Sequence, residues 1–372
     1  MGELKRLIIS CGGTGGHFFP GLSIARTFQQ QGGKVLLLLS GVNSAAQVKS
    51  ASACGIDAVA LPFTPSWKRN PVKYFIGNIS GCIKSLQIMK KFKPQAVLGM
   101  GSFAMVPVLL AALFRRVPVV LHDGNARIGR ANRWMTPFAR FIGEGFPAVN
   151  ADKCRCRVVD TGMPVRPELL DKYSISRKEA LQKLNELYNS HLQEELTTVL
   201  VFGGSQGAAV FNSILPQAFL QCPDGKFQVL HLCGKGKMAD AEKLYSQANF
   251  PVLLLESSDR MEYFLGAADA VFCRSGGSTL AELALFGKGA FLIPYPSASE
   301  GHQQDNAEYF ERNNAAVIIR NSDFTVEKAL QLLQREICGD RKNLDDRGKC
   351  AAKLARPEAA SAMLKEISAI IR

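Results

Sequence analysis

Short apolar runs alternate with longer amphipathic segments along most of the chain. The apolar runs are RLIIS, KVLLLLS, AVALPF, QAVLGM and PVVLHD in the first half, and TTVLVF, FQVLHL, PVLLLE, AVFC and GAFLIP in the second. Continuous apolar runs of this length are typical of parallel strands that are buried on both faces. The segment FPGLSIARTFQQQG has helical spacing and stops at Gly32 and Gly33, as helices often do. The pattern therefore predicts doubly wound α/β units in both halves.

The length of the chain and its helix- and strand-breaking residues predict how these units divide. A chain of 372 residues exceeds the size at which a single core usually stops growing. Prolines and a glycine interrupt the pattern between residues 158 and 170, and a polar helical stretch over 176–195 leads into the second set of strands. We predict an N-terminal domain over 1–162, a C-terminal domain over 163–340, and a C-terminal helical segment over 341–372 that packs back on the N-terminal domain.

The charge of the chain is concentrated in its first half. Through Asp160 there are 21 Lys and Arg against 6 Asp and Glu, a balance of +15, whereas the remainder has 24 against 26. Such a basic half indicates an anionic partner: nucleic acid, an acidic membrane surface or a phosphorylated substrate. A face that is only solvated is the alternative.

Cysteine usage and hydropathy indicate the setting. The ten cysteines are scattered and form neither a zinc-ligand pattern nor a disulfide framework, which fits a reducing, cytosolic environment. The N-terminus lacks signal-peptide architecture, and no apolar run approaches the roughly 18 residues of a membrane span. We therefore expect a soluble or peripheral protein.

Four glycine-rich turns follow predicted strands. They are CGGTGGH from Cys11, GMGSF from Gly99, GGSQGA from Gly203 and RSGGST from Arg274. In Rossmann-like units ligands bind beyond the carboxyl ends of the strands, where helix N-termini present N–H groups and a positive dipole to anions. Four turns over two domains predict a phosphate-binding cleft between them. The dinucleotide fingerprint does not fit, because its glycine spacing is missing and no acidic residue ends the second strand.

In this order the motifs resemble one family. GGTGGHFFPGLSIA, LGMGSFAMVPVLLAAL, PVVLHDGNARIGRANRW, TGMPVR, VFGGSQGAAVFN, HLCGKG, CRSGGSTLAELALFGKGAFLIPYP and HQQDNAEYF lie between Leu7 and about Ile319. They are similar to the MurG family of glycosyltransferase family 28, the bacterial undecaprenyl-diphospho-muramoylpentapeptide N-acetylglucosaminyltransferases. The resemblance implies a GT-B fold, with two Rossmann-like domains facing each other across a cleft. It also implies inverting transfer of N-acetylglucosamine (GlcNAc) from UDP-GlcNAc to lipid I, giving lipid II in peptidoglycan synthesis, on which cell shape and division depend.

The resemblance places most of the donor site in the second domain. Glu282 is expected to accept hydrogen bonds from the ribose hydroxyls, although a solvated helix carboxylate is the alternative. Gln303 and Gln304 would hold the sugar hydroxyls, because an amide can both donate and accept. The diphosphate is expected to meet Ser205, Gln206 and the N–H groups of their loop, with Arg166 as a nearby cation. The donor-binding residues assigned to the first domain are Thr14, Gly15, Gly16 and Asn125.

Three residues of the first domain are candidate catalytic groups: His17, His122 and Asp123. A base must take the proton of the acceptor hydroxyl while positive groups stabilise the leaving diphosphate, and an imidazole suits either task near neutral pH. For His17 the alternative is a hydrogen bond that only braces its loop. His231 lies in a predicted strand and is expected to be a core residue with satisfied hydrogen bonds.

The acceptor is expected to bind at loops of the first domain. The residues assigned to it are Gly13, His17, Gly101, Ser102 and Phe103. This chain departs from the family here: GSF stands where G-G-Y is usual, and HDGN stands where many members have H-E-Q-N. The departures therefore fall around the acceptor, whereas the donor motifs are intact.

Two basic, apolar runs are candidates for a membrane surface: Trp67 to Lys93 and Met105 to Arg116. A basic amphipathic helix with aromatic residues can lie in the interface of an anionic bilayer. The alternative is that Ile79, Ile83 and Leu86 form a core-facing stripe. The lipid-linked acceptor favours the membrane, at the cytoplasmic face of a bacterial cell membrane.

The remaining expectations concern cofactors, partners and rival functions. We expect no metal and no other cofactor, because no D-x-D and no His/Cys group with ligand spacing follows a predicted strand. We expect no nucleic acid, and candidate protein partners are cell-wall synthesis or cytoskeletal proteins. Rival functions are another lipid-directed UDP-sugar transferase of the diacylglycerol type, a UDP-GlcNAc epimerase and a non-catalytic nucleotide-sugar-binding protein. GGTGGH and HDGN favour the lipid I transferase over the diacylglycerol type.

Overall fold

The computed structural model describes residues 3–62, 71–204, 207–222 and 226–371. By its internal contacts the chain forms two compact units, which we call the first unit (Met1–Pro167 with Arg356–Arg372) and the second unit (Glu168–Ala355). The predicted domain boundaries at 162–163 and 340–341 stay predictions; the division by contacts falls at 167–168 and 355–356.

A seven-stranded parallel sheet forms the centre of the first unit. Its strands are β1 (Arg6–Gly12), β2 (Lys34–Ser40), β3 (Ala58–Ala60), β4 (Ala96–Gly99), β5 (Val119–Asp123), β6 (Phe141–Glu144) and β7 (Arg157–Asp160). Their order is β3-β2-β1-β4-β5-β6-β7. The first five match the predicted runs. β6 and β7 were not predicted from the sequence, because each has four residues and β7, at the sheet edge, has exposed ends instead of a continuous apolar run.

The second unit repeats this plan with six parallel strands. They are β8 (Thr197–Phe202), β9 (Phe227–Leu232), β10 (Val252–Leu255), β11 (Ala270–Cys273), β12 (Ala290–Leu292) and β13 (Ala316–Ile318). Their order is β10-β9-β8-β11-β12-β13. In both sheets the order reverses beside the first strand, which is the switch point where doubly wound folds bind ligands. β13, an edge strand of three residues, was not predicted from the sequence.

Helices connect the strands. They are α1 (Gly15–Gln30), α2 (Ser44–Ala53), α3 (Pro71–Phe92), α4 (Val106–Phe114), α5 (Arg130–Met135), α6 (Pro167–Leu170), α7 (Arg177–Tyr188), α8 (Ala209–Leu220), α9 (Met238–Tyr245), α10 (Met261–Ala267), α11 (Gly277–Leu285), α12 (His302–Arg312), α13 (Val326–Leu332), α14 (Lys342–Ala352) and α15 (Ala359–Ala369). Within the described ranges, none of them is long and apolar enough to cross a membrane.

Local signals explain where two of these helices end. α1 stops at Gln30, and Gly32 then adopts the left-handed conformation (φ +83°), in agreement with the predicted glycine stop. α7 begins after Ser176, whose Oγ accepts a hydrogen bond from the Glu179 N–H at 3.2 Å. It ends at Tyr188 rather than continuing to residue 195 as predicted, because Asn189 is left-handed (φ +49°).

The C-terminal helix completes the core of the first unit. α15 packs against α1, and Met363, Leu364 and Ile367 are buried together with Phe18 and Leu22. α14 belongs by its contacts to the second unit, where it packs against α11. The last thirty residues therefore contribute to both cores.

Candidate functional site

The loop between β1 and α1 has the geometry of an anion site. Gly12 (φ +126°) and Gly13 (φ +80°) are left-handed, and a Cβ on Gly12 would lie 2.6 Å from the Ser40 carbonyl oxygen. Thr14 is the N-cap of α1, it is exposed, and its side chain makes no capping bond. The first N–H groups of a helix have no intrahelical acceptor, so those of Gly15 and Gly16 can meet a ligand, where the helix dipole favours negative charge.

His17 joins this loop to the turn after β4. Its Nδ1 lies 2.9 Å from the Met100 carbonyl oxygen, which can only accept, so Nδ1 carries the proton. Nε2 is then the ring atom that can take up or release a proton. Gly101 (φ +94°) makes room for the ring, since a Cβ there would lie 3.1 Å from Cε1 of His17.

The turn after β4 presents an aromatic surface. Ser102 is left-handed (φ +67°), an uncommon conformation for serine, and its Oγ accepts the Ala104 N–H at 3.1 Å. The next residue, Phe103, is 39% exposed and packs edge-on against Trp134, with 5.4 Å between ring centroids. A Cβ on Gly13 would be 4.0 Å from the Ser102 Oγ. The structure thus brings together the five residues assigned to the acceptor, whose role stays a prediction.

His122 and Asp123 end β5 inside the first unit. Nε2 of His122 bonds the Gly162 carbonyl oxygen at 3.0 Å, and burial lowers the pKa of its imidazole. Oδ2 of Asp123 accepts the Gly129 N–H at 2.7 Å, and Oδ1 accepts the N–H of Asn125 at 3.2 Å. Both side chains are almost wholly buried. In the structure their hydrogen bonds fix the conformation of the loop that follows β5. Their catalytic role stays a prediction.

Asn132 connects these groups, a role that was not predicted from the sequence. Its Nδ2 donates to the Asp123 Oδ2 at 2.9 Å and to the His122 carbonyl oxygen at 3.0 Å, and it lies beside Gly101. Its Oδ1 is buried and has no hydrogen-bond donor among the described residues. The quoted motif GRANRW was the signal that could have singled it out.

Arg166 lies near the N-terminus of α1. Its guanidinium stacks on the Phe19 ring, 5.2 Å from the centroid, and that ring is the closest neighbour a Cβ on Gly15 would have, at 3.2 Å. A cation therefore stands near the positive end of the helix dipole, as expected around a diphosphate. The predicted contact of Arg166 with the donor stays a prediction.

In the second unit, the turn between β8 and α8 depends on one close approach. Gly207 (φ +63°) lies against the backbone just after β9, and a Cβ there would be 2.1 Å from the Cys233 carbonyl oxygen. Asn212 on α8 donates to the same carbonyl at 2.9 Å. The predicted diphosphate ligands Ser205 and Gln206 lie outside the described residues.

The other donor residues surround the start of α11 and α12. Glu282 is only 6% exposed, so the alternative of a solvated helix carboxylate is wrong. The Ser275 hydroxyl donates to the Gln303 carbonyl oxygen at 2.7 Å, and Oε1 of Gln303 accepts the Tyr295 N–H at 2.9 Å. Gln304 is exposed and donates to Glu308 at 3.0 Å. The Ser275 contact ties the RSGGST turn to the helix that carries both glutamines.

Arg274 holds the ends of two neighbouring strands together, a role that was not predicted from the sequence. Its Nη1 donates to the carbonyl oxygens of Ile293 and Pro294 at 2.9 and 3.1 Å. It also donates to Oδ1 of Asn321 at 2.8 Å. The guanidinium lies 5.1 and 5.5 Å from the ring centroids of Phe211 and Tyr295, and burial lowers its pKa. One side chain therefore fixes the ends of β11 and β12 against α8.

His231 is the core residue that its strand position predicted. It is fully buried; Nδ1 bonds the Tyr245 hydroxyl at 3.0 Å and Nε2 bonds Oδ1 of Asn212 at 3.1 Å. No cluster of three or more His, Cys, Asp or Glu with metal-binding geometry occurs in the part of the chain that the structure describes.

Comparison with known proteins agrees with this geometry. The glycosyltransferase family 28 N-terminal domain matches residues 7–143, and the family 28 C-terminal domain matches residues 198–363. The chain is 32% identical, over 97% of its length and 98% of the relative's, to the UDP-N-acetylglucosamine--N-acetylmuramyl-(pentapeptide) pyrophosphoryl-undecaprenol N-acetylglucosamine transferase of Halothermothrix orenii. A Desulforamulus reducens transferase of the same name is also 32% identical, over 98% of this chain and 99% of the relative.

Solved structures give the same result. The crystal structure of Acinetobacter baumannii MurG is 27% identical and superposes with a TM-score of 0.77, covering 98% of this chain and all of that one. The UDP-GlcNAc 2-epimerase of Neisseria meningitidis superposes with a TM-score of 0.70 but is 12% identical over 97% of this chain and 99% of its own, so it shares the fold alone.

Two parallel Rossmann-like sheets with glycine turns at their strand ends define a GT-B glycosyltransferase of family 28, which confirms the predicted fold class. Within that family, the chain belongs to the MurG family of N-acetylglucosaminyltransferases.

Proposed function

We propose that this chain transfers GlcNAc from UDP-GlcNAc to lipid I with inversion, giving lipid II, at the cytoplasmic face of a bacterial cell membrane. The observation that carries the proposal is the similarity, over nearly the whole chain, to transferases named for this reaction. The epimerase alternative rests on a shared fold only.

The donor would bind mainly to the second unit. Glu282 would accept hydrogen bonds from the ribose, and Gln303 and Gln304 would hold the sugar, with Arg274 fixing the ends of β11 and β12. The diphosphate would meet the glycine turn before α8, including Ser205 and Gln206. Arg166, Asn125 and the turn Thr14–Gly16 of the first unit would supply further contacts to the donor.

His17 is the group best suited to proton transfer. In an inverting displacement the acceptor hydroxyl attacks the anomeric carbon, the bond to UDP breaks, and the hydroxyl proton passes to a base. Nδ1 of His17 is held by Met100, so Nε2 would take that proton. The N-terminus of α1 lies beside it and would stabilise negative phosphate charge. His122, Asp123 and Asn132 would act on the reaction by positioning the acceptor loop.

The surface of α3 supports attachment to a membrane. Phe75, Ile76, Ile79 and Ile83 are each more than half exposed, so the alternative of a core-facing stripe is wrong for Ile79 and Ile83. Leu86 is partly buried and does pack against the core. Ile76, Ile79 and Ile83 line a surface groove of about 440 Å³ together with Lys84. Exposed lysines at positions 84, 90, 91 and 93 add positive charge. The predicted contribution of Trp67 lies outside the described residues.

The run over 105–116 adds a second apolar segment. Leu110 and Phe114 are exposed on α4 and are followed by exposed Arg115 and Arg116. α4 packs against α3, so the two segments are neighbours in the first unit. Apolar side chains beside cations suit the interface of an anionic bilayer.

Labelled UDP-GlcNAc, incubated with the purified chain with and without lipid I, tests the activity. Label in lipid II only when lipid I is present supports the proposal. Transfer to diacylglycerol instead would identify the rival lipid transferase, and an altered sugar without any acceptor would identify an epimerase. Binding without turnover in every arm would leave a nucleotide-sugar-binding protein.

A further inference from the structure

Two cysteines of the second unit meet far from the donor residues. Sγ of Cys222 lies 3.6 Å from Sγ of Cys338. Cys222 is buried just beyond the C-terminus of α8, and Cys338 is half-buried at the end of the turn Leu333–Ile337 that continues α13. The two residues are 116 positions apart in the chain, so the fold alone brings the thiols together.

We propose that Cys222 and Cys338 form a reversible disulfide that fastens α8 to the α13 segment and stabilises the second unit under oxidising conditions. A disulfide needs sulfurs about 2.05 Å apart, so the thiols must approach by roughly 1.5 Å, a movement within reach of side-chain rotation. α13 already packs against α8, and both cysteines border the same hydrophobic cluster. The bond therefore joins elements that are neighbours in the reduced protein.

The chemistry requires a two-electron oxidant, for which hydrogen peroxide serves. The half-buried Cys338, as a thiolate, attacks one peroxide oxygen; the O–O bond breaks, and the sulfenic acid and one water form. The Cys222 thiol then attacks the sulfenic sulfur, the S–O bond breaks, and a second water leaves with the remaining proton. Two thiols are oxidised and one hydrogen peroxide is reduced to two waters. A dithiol reductant reverses the step.

The location predicts a gain of stability without a loss of donor binding. Cys222 lies about 20 Å along the helix axis from the first turn of α8, where the glycine loop ends. A cross-link at that distant end closes a long loop of the unfolded chain, and long loops give the larger stabilisation. The donor segments stay where they are.

Hydrogen peroxide treatment of the purified full-length chain, with mass spectrometry of its peptides, tests the proposal. We expect a Cys222–Cys338 peptide pair, a loss of two of the ten thiols, and a rise of about 5 °C or more in the unfolding midpoint of the second unit. Dithiothreitol should restore both thiols and the original midpoint. KM for UDP-GlcNAc should change less than twofold.

Matched variants separate this pair from the other cysteines. Cys338→Ser, at the half-buried site, should remove the linked peptide and the rise in midpoint, whereas Cys350→Ser, another half-buried cysteine of the second unit, should behave as the parent. Cys222→Ala repeats the test at the buried site. The proposal is overturned if both thiols survive in the parent, if only other cysteines link, or if the linked protein melts at the parent's temperature.

Discussion

Glu282 allows the donor site to be tested through a single hydrogen-bonding group. Because hydrogen bonds to charged groups contribute about 1.5–3 kcal/mol, Glu282→Gln should raise KM for UDP-GlcNAc roughly 10- to 100-fold and change kcat little. Glu242→Gln, an exposed carboxylate on α9, should change neither constant. The parent should also discriminate against a donor that lacks the ribose 2′-hydroxyl, and the Glu282 variant should not. Equal discrimination by both would contradict the ribose assignment.

His17 is tested by separating turnover from donor binding. If Nε2 takes the acceptor proton, His17→Ala should lower kcat by about 100-fold or more, with KM for UDP-GlcNAc within about threefold of the parent, since general bases contribute 10²–10⁴. His191→Ala, an exposed histidine, is the control. A fall in kcat accompanied by a rise in KM of similar size would mean that His17 only braces the loop to Met100.

His231 makes stability depend on pH. Burial lowers the pKa of its imidazole from 6.5 to about 3, so between these values the unfolded chain binds a proton that the native chain does not. The free energy of unfolding therefore falls as pH falls, by about 1 kcal/mol between pH 7 and 5.5. His231→Gln should lack this share of the slope in urea unfolding at the two pH values. A variant with the parent's slope would show that other groups cause it.

α3 predicts a salt-sensitive attachment to lipid. Changing Lys84, Lys90, Lys91 and Lys93 to glutamine should weaken flotation with anionic vesicles. Added salt should weaken that of the parent, because the Debye length falls from about 10 Å at 0.1 M to about 3 Å at 1 M. Ile79→Ser with Ile83→Ser should also reduce binding and leave the unfolding midpoint unchanged, since both side chains are exposed.

The control for α3 is Leu187→Ser, which removes an exposed apolar side chain from the second unit. It should bind vesicles as the parent does. Equal binding by the parent and the lysine variant, without any effect of salt, would show that α3 is only a solvated face.

How well elements were predicted depended on the length of their apolar run. β1, β2 and β8, with six or seven mostly buried residues, were evident from the sequence, whereas β13 has three residues. α3 looked equally suited to a core or a surface, because helical spacing does not say which face is covered. Burial of Ile79 and Ile83 depends on tertiary neighbours, which only the structure shows.

For the site, the sequence predicted the turns but not the contacts that fix them. The glycine turns and Glu282 stood in motifs, so their residues were found. Asn132 and Arg274 were missed because their role depends on residues distant in the chain, such as His122 and Asn321. The sequence predicted Asp123 as a catalytic candidate but not its hydrogen bonds with Gly129 and Asn132, which lie six and nine positions further along the chain.

The chain returns from the second unit to the first at Arg356, which predicts that α15 stabilises the first unit. Ending the chain at Ala355 removes α15, with the buried side chains Met363, Leu364 and Ile367, which together contribute about 5 kcal/mol or more. The first unit should then be digested in limited proteolysis, while the second unit resists and still binds UDP. Leu364→Ser should weaken the first unit, and Lys365→Ser, an exposed neighbour, should not. Equal resistance of both units would contradict the role of α15.

Dependence of the first unit on α15 also affects how the protein is made. At about 5–20 residues per second, a ribosome needs roughly 10–40 s to add the 200 or so residues between Pro167 and the end of α15 at Ala369. Throughout that time Phe18 and Leu22 on α1 lack the helix that covers them. The second unit, although translated later, has all its residues before the first unit does. Nascent chains should therefore expose a chaperone-binding apolar surface at their N-terminal end until α15 has been synthesised.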